Sequence, residues 1–424
     1  MNMNKLCRRS ANITLELPFL MLIILGHSIG SLAPHHALMV LDEDSPLDSS
    51  RRLARCYRLL RGKYFDDLHA LEEAALSVGG KRLGNLMRSY TISYGVRANK
   101  AAIVGELVEK AVELFKEELS SKLSTVNETI KLSLLMLSMN IMIISFAALV
   151  ASNTGAILGA SILAVIIALA TPFFARVNKI TLLAVKNSNT VTILNAAYIA
   201  SLATTLALRP PLLYLPLAVA VAADVASNIV LIKSFRSVEE TRLAARSLSD
   251  SFATGAREIR VRGKALALTV RAGERMASRI GVEGSPLEKL TSKTIASLVS
   301  AGGEAVKKLK LVESIIESLE EAYRRILSTH LAASTMLVMI LIVSAISLKV
   351  VSTLFVSPAS VGGGPLPVLG GGNMKTVAPL YLAATSVAVI VMGISYSYTL
   401  TGLLATNPAP ILALLVAKKI LLAP

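Results

Sequence analysis

Apolar residues gather along the chain in long uninterrupted stretches, and the residues between them repeat at helical rather than strand spacing. A helix needs about 20 apolar residues to cross a hydrocarbon core of ~30 Å. Stretches of that kind occur at 132–151, 156–175, 192–208, 212–232, 331–356 and 377–400. Pro210 and Pro211 mark a tight turn between the third and fourth. A shorter run at 411–422, with Lys418 and Lys419, fits either a seventh span or an interfacial helix. The pattern predicts an all-α polytopic membrane protein with about six to seven transmembrane helices.

Two charged helical blocks frame these spans. Residues 1–131 hold 18 Lys/Arg and 15 Asp/Glu, and residues 233–330 hold 18 and 12. The expected organisation is therefore a first cytoplasmic block (1–131), four spans (132–232), a second cytoplasmic block (233–330) and a C-terminal membrane region (331–424). Within that last region, 357–375 forms a Gly/Pro-rich external loop containing Gly362-Gly363-Gly364 and Gly370-Gly371-Gly372. Short loops rich in Lys/Arg stay in the cytoplasm. The link after the second span carries Arg176, Lys179 and Lys186 and no acid, which places both blocks on the cytoplasmic side of a cell membrane.

An apolar run at 18–25 follows Lys5, Arg8 and Arg9, the outline of a secretory signal. Glu16 at its mouth argues for an uncleaved helix of the first block instead.

Overall composition agrees with a membrane protein: 53% hydrophobic residues, 17% charged, and a mean hydropathy of +0.61. Net charge is +16, while aromatics are 4% and Trp is absent, so the stacking platforms of single-stranded nucleic-acid binders are scarce and no nucleic-acid partner is expected. Gln is absent, in line with the bias against thermolabile residues in some thermophile proteins. Cys7 and Cys56, the only cysteines, have no spaced partners and read as buried or incidental thiols rather than a disulfide framework.

An ungapped shift of 201 superposes Arg61-Gly62-Lys63 on Arg262-Gly263-Lys264, then Glu73 on Glu274, Ser77 on Ser278, Gly80 on Gly281 and Leu86 on Leu287. The blocks therefore read as a parallel internal repeat. Long amphipathic helices over 101–124 and 304–329 lead from each block straight into membrane.

Chemistry is sparse. Gly79-Gly80-Lys81 and Gly302-Gly303 lack the remainder of a phosphate-binding loop and read as helix ends. His35 and His36 are adjacent and point about 100° apart on a helix, so they do not chelate as an i, i+4 pair. No nucleophile elbow or zinc-protease motif occurs, and no catalytic, metal or cofactor site is expected.

Basic stripes are the positive signal. On helical spacing Arg257, Arg260, Lys264, Arg271 and Arg275 share one face, opposed by Ile259, Gly263, Leu266, Val270 and Ala277. Arg51, Arg55 and Arg58 form a similar stripe, opposed by Leu53, Cys56 and Leu60, while Lys81, Arg82 and Arg88 offer a further cationic group. Asp224, four residues before Asn228, is the only acid inside a span and is expected to form an interhelical hydrogen bond.

Repeated helical blocks entering the membrane, with glycine-punctuated helices at Arg61-Gly62-Lys63 and Ser93-Tyr94-Gly95, resemble the F-domain membrane proteins of type II secretion and type IV pilus systems. The likeness is strongest to the archaeal archaellum and pilus platform proteins, over about 15–150 and 245–355. It implies a non-enzymatic platform on which a hexameric secretion ATPase acts while pilin-like subunits pass from the bilayer into a filament, with the platform forming a homodimer. The rival expectation is a secondary transporter or channel built on the parallel repeat and Asp224.

Overall fold

The computed structural model describes residues 7, 13–29, 38, 48–64, 66–96, 100–150, 159, 162–163, 166, 189–207, 214–254, 258–262, 267–271, 286–301, 306–356, 374–401 and 403–421. The chain divides into two compact units. One comprises Met1–Lys122, Ile180–Lys186 and Lys233–Tyr323; the other Leu123–Lys179, Asn187–Ile232 and Arg324–Pro424. The charged segments that are separate in sequence thus belong to one unit. Regular structure among the described residues is helical apart from one two-stranded hairpin.

In the charged unit, α1 (Ile13–Ile29) is apolar on every side because it is a core helix rather than a surface one. Its one acid, Glu16, is buried and useful: the backbone N–H and hydroxyl of Ser50 donate to Glu16 Oε2 at 2.8 and 2.7 Å, anchoring the first turn of α2 (Asp48–Arg61). Helix α2 buries Leu53, Cys56, Tyr57 and Leu60 and exposes Arg55 and Arg58, the amphipathic division its spacing predicts. Cys56 is not a free thiol. It forms a disulfide with Cys7, their Cα atoms 5.2 Å apart, which corrects the expectation from spacing; a bridge across 49 residues leaves no local signature.

Helix α3 (Asp67–Val96) kinks at Gly80, whose φ of 69° lies in the left-handed region, so Gly79-Gly80 does end one helical segment and start another. Helix α7 (Pro286–Ala301) crosses α1 closely: a Cβ on Gly26 would lie 2.6 Å from the Ser297 carbonyl oxygen, and the Ser297 hydroxyl donates to the Ile23 carbonyl at 3.1 Å.

Three long helices belong to both units: α4 (Lys100–Val150), α6 (Tyr214–Ala253) and α8 (Leu309–Val356). Inside the charged unit α6 and α8 run antiparallel. Phe235 packs on Tyr323 with ring centroids 5.6 Å apart, Arg242 pairs with Glu320 at 2.6 Å and Glu317 at 3.9 Å, and Arg246 pairs with Glu313 at 3.8 Å.

The apolar unit adds α5 (Asn189–Ala207), α9 (Met374–Thr401) and α10 (Ala409–Leu421). One core joins Ile130, Leu134, Leu137 and Ile141 to Ala333, Leu337 and Leu341 and to Val389, Met392 and Tyr396; a second surrounds Tyr198, Leu202, Ala220 and Ala223. At 13 residues, about 20 Å of rise, α10 is too short to cross a bilayer, and it packs against α9 where a Cβ on Gly393 would lie 2.7 Å from Pro410 Cγ.

The buried turn between α9 and α10 is tied by polar groups. His330 Nε2 donates to the Thr406 carbonyl at 2.9 Å, Leu404 N–H to Asn195 Oδ1 at 2.9 Å, and Ala409 N–H to Asn407 Oδ1 at 2.9 Å. Three described helices are long and apolar enough to span a membrane, Leu215–Phe252, Leu309–Ser347 and Tyr381–Thr401. Their outward faces carry large apolar residues such as Val225, Met336 and Met339. These features are those of a largely helical membrane protein; the expected span at 156–175 and the Gly/Pro-rich loop at 357–373 lie outside the described residues.

Candidate functional site

Two features could carry function: the cationic surface of the charged unit and the lone acid of the apolar unit. The first differs in structure from its sequence expectation. Residues 258–271 do not form a helix: β1 (Glu258–Arg262) pairs antiparallel with β2 (Ala267–Arg271), placing Glu258 opposite Arg271, Arg260 opposite Thr269 and Arg262 opposite Ala267. The physical reason is period-two alternation of apolar residues, Ile259 and Val261 in one strand, Leu268 and Val270 in the other. By backbone register the alternate positions Glu258, Arg260 and Arg262 pair with Arg271, Thr269 and Ala267, and the intervening positions Ile259 and Val261 pair with Val270 and Leu268; Arg262 is not in the set that helical spacing selects. Arg257, Lys264 and Arg275 lie outside the described residues.

The stripe on α2 has the predicted faces, and Arg61 at its end pairs with Asp67 at 2.7 Å. The third cationic group is mostly committed internally: Arg82 pairs with Glu118 at 3.1 Å and Arg88 with Glu72 at 3.6 Å, while Lys81 is exposed. Lys122 is buried beside Glu118 at 3.8 Å; desolvation holds its ammonium below the usual lysine range, with the Glu118 carboxylate opposing that shift.

The burial patterns of α4 and α8 match at a register one residue from the sequence match. At a shift of 200 the buried, half-buried and exposed positions of 121–142 coincide with those of 321–342 except at 123/323 and 140/340. The same shift aligns Glu113 with Glu313, Glu117 with Glu317, and Met136-Leu137 and Met139 with Met336-Leu337 and Met339. By contrast Arg61-Gly62-Lys63 ends a helix while Arg262 ends a strand, so the tripeptide match marks no shared structure.

Asp224 is half-buried on α6, its Oδ1 occluded and without a hydrogen-bond partner; the interhelical bond expected of it is not made among the described residues. Asn228 Nδ2 donates to the Asp224 backbone carbonyl at 3.0 Å. Tyr198 lies within electrostatic reach of Asp224 but directs its hydroxyl to the Asn407 carbonyl at 3.5 Å. No group of three or more His, Cys, Asp and Glu residues able to hold a metal occurs among the described residues. Compared with protein-family models, curated proteins and solved structures, the chain matches none.

Proposed function

We propose that this chain is a non-enzymatic platform for assembling a type IV pilus-like or archaellum-like filament, or for type II-like secretion, coupling a hexameric cytoplasmic ATPase to pilin-like subunits in the bilayer. The observation that carries the reading is the pair α4 and α8, each running unbroken from the charged unit into the apolar one with closely matching burial at 121–142 and 321–342. Such helices transmit displacement rigidly, which is what a platform driven from the cytoplasm requires. In this reading the chain has six to seven spans, works as a homodimer, and holds both charged segments in the cytoplasm.

The ATPase would meet the cationic surface, with Arg260, Arg262 and Arg271 on the hairpin and Arg55 and Arg58 on α2. The test is reconstitution of the full-length protein with its secretion ATPase. Reversing Arg260, Arg262 and Arg271 to Glu slows association and flattens its salt dependence, whereas unchanged binding across a salt series removes the hairpin from the contact. Filaments that form normally in a strain lacking the protein would defeat the platform reading. The transporter reading rests on Asp224; it predicts a proton-dependent solute flux in proteoliposomes that Asp224→Asn abolishes.

A further inference from the structure

Where α4, α6 and α8 meet the charged segments, the charges along each helix come in the same order. On α6 the apolar stretch ends at Ile232 and the next charged residues are Lys233 and Arg236, with the acids Glu239 and Glu240 following about one turn later. On α8 the formal charges nearest Leu331 are Arg325 and Arg324, and Glu321 and Glu320 stand a turn farther away. On α4 Lys131 adjoins Leu132, and Glu128 lies three residues beyond it, its carboxylate accepting from the Ser124 hydroxyl at 2.9 Å. Each helix thus sets bases between its acids and its apolar stretch.

The bases continue outward-facing apolar stripes. Val221, Val225, Ile229, Ile232 and Arg236 recur at spacings of three and four, so one face of α6 carries them all, and its four apolar members are 45% to 52% exposed. Lys131, Lys233, Arg236, Arg324 and Arg325 are all exposed, as are Leu132 on α4 and Leu331 on α8. A headgroup zone about 5 to 7 Å deep flanks each side of a ~30 Å hydrocarbon core. Lys233 and Arg236 stand about 1.5 and 6 Å of helical rise past Ile232, inside that zone, whereas Glu239 is about 10 Å past it and outside. Arg325 and Arg324 lie about 9 to 11 Å from Leu331, a distance that long basic side chains bridge by reaching along the helix. Membrane topology asks only for Lys/Arg near the span ends and is nearly indifferent to Asp/Glu. Holding the acids a turn back is a further feature, and it fits contact with a negatively charged surface.

We propose that Lys131, Lys233 and Arg236, with Arg324 and Arg325, bind the headgroups of anionic phospholipids, so that α4, α6 and α8 gather anionic lipid from a mixed bilayer. The apolar stripes meet the acyl chains, and the ammonium and guanidinium groups donate to the phosphate oxygens above them. Only the membrane location of the three helices is required; the platform reading is not.

The experiment places the full-length protein in nanodiscs of equal parts phosphatidylglycerol and phosphatidylcholine and counts the lipids retained after release by native mass spectrometry. Phosphatidylglycerol is expected to be enriched about fivefold over phosphatidylcholine, falling below about twofold in the triple variant Lys131→Gln, Lys233→Gln, Arg236→Gln. A second triple variant, Lys110→Gln, Lys116→Gln, Lys310→Gln, removes the same charge at points about 24 Å or more along the helices from the apolar stretches and should keep the enrichment. Equal retention of the two lipids by the native protein overturns the proposal, whether or not the first variant folds. Equal loss in both triple variants also overturns it, by assigning the effect to net charge. So does enrichment that inorganic phosphate abolishes at an ionic strength where chloride leaves it intact, because the bases would then form a site for free phosphate.

Discussion

Lys116 and Ile316 occupy matching positions, 200 residues apart, in α4 and α8, yet Lys116 is exposed and Ile316 fully buried. The same contrast holds for Ser120 and Glu320, whereas Val112, Phe115 and Leu119 are buried like Val312, Ile315 and Leu319. The helices thus share their inner face and differ on the outer one. In α8 that outer face lies under α6, whose Arg242 and Arg246 clamp Glu320, Glu317 and Glu313; in α4 the matching Glu113 and Glu117 are exposed. The packing stripe is common to both helices, and their neighbours decide the rest. Elsewhere in the charged unit the fastening is of another kind, with the Cys7–Cys56 disulfide tying α2.

Exchanging residues between the two positions should break this contrast most sharply. Ile316→Lys buries an ammonium under α6 and is expected to destabilise by about 4 kcal/mol, while Lys116→Ile changes stability by less than about 0.5 kcal/mol. Thermal unfolding of both variants in detergent checks the pair; similar costs would mean that the faces are not differently covered. Next in size is Arg242→Ala, which strands the buried Glu320 and should cost about 3 kcal/mol, against almost nothing for Glu117→Ala. Hydrogen exchange in 235–246 and 313–323 should rise in the Arg242 variant alone.

The disulfide sharpens the other side. Cys7→Ser frees a 49-residue loop and should lower stability by about 2 to 3 kcal/mol, and a reductant should lower the native Tm while leaving the variant unchanged. The smallest effect concerns Lys122, where α8 carries the buried Ala322. Its folded pKa lies below the unfolded value of about 10.4, so folding disfavours the protonated form. That cost is fully present below the folded pKa and vanishes as pH rises past the unfolded one. Lys122→Met should therefore raise Tm by a few degrees at pH 7, and its advantage should shrink as pH approaches about 10.5. A pH-independent difference would assign the effect to packing.

Much of the helical plan is visible in local pattern. Apolar length marks the helices of the apolar unit, Pro210 and Pro211 fall in the break between α5 and α6, and the α2 stripe separates buried from exposed residues as helical spacing requires. The hairpin was equally readable: Ile259, Val261, Leu268 and Val270 alternate at period two on either side of Gly263, but a helical frame extended from neighbouring segments masked it. Arg262 was lost for the same reason. The tripeptide Arg-Gly-Lys aligns at a shift of 201, whereas the burial pattern of α4 and α8 matches at 200, because a diffuse apolar stripe leaves a weaker mark in sequence than an identical tripeptide.

By itself the sequence determined the helices, their apolar faces and the presence of one acid, Asp224, within the apolar stretches, since these follow from hydropathy and spacing within a few turns of chain. Tertiary structure alone decided that Cys7 meets Cys56, that Glu16 anchors Ser50, that Arg242 covers Glu320, and that Asp224 Oδ1 meets no donor among the described residues. Each of those outcomes depends on which residues distant in sequence are brought within a few ångströms. Local periodicity is blind to that, because it records which side of a helix is buried and not what is buried against it.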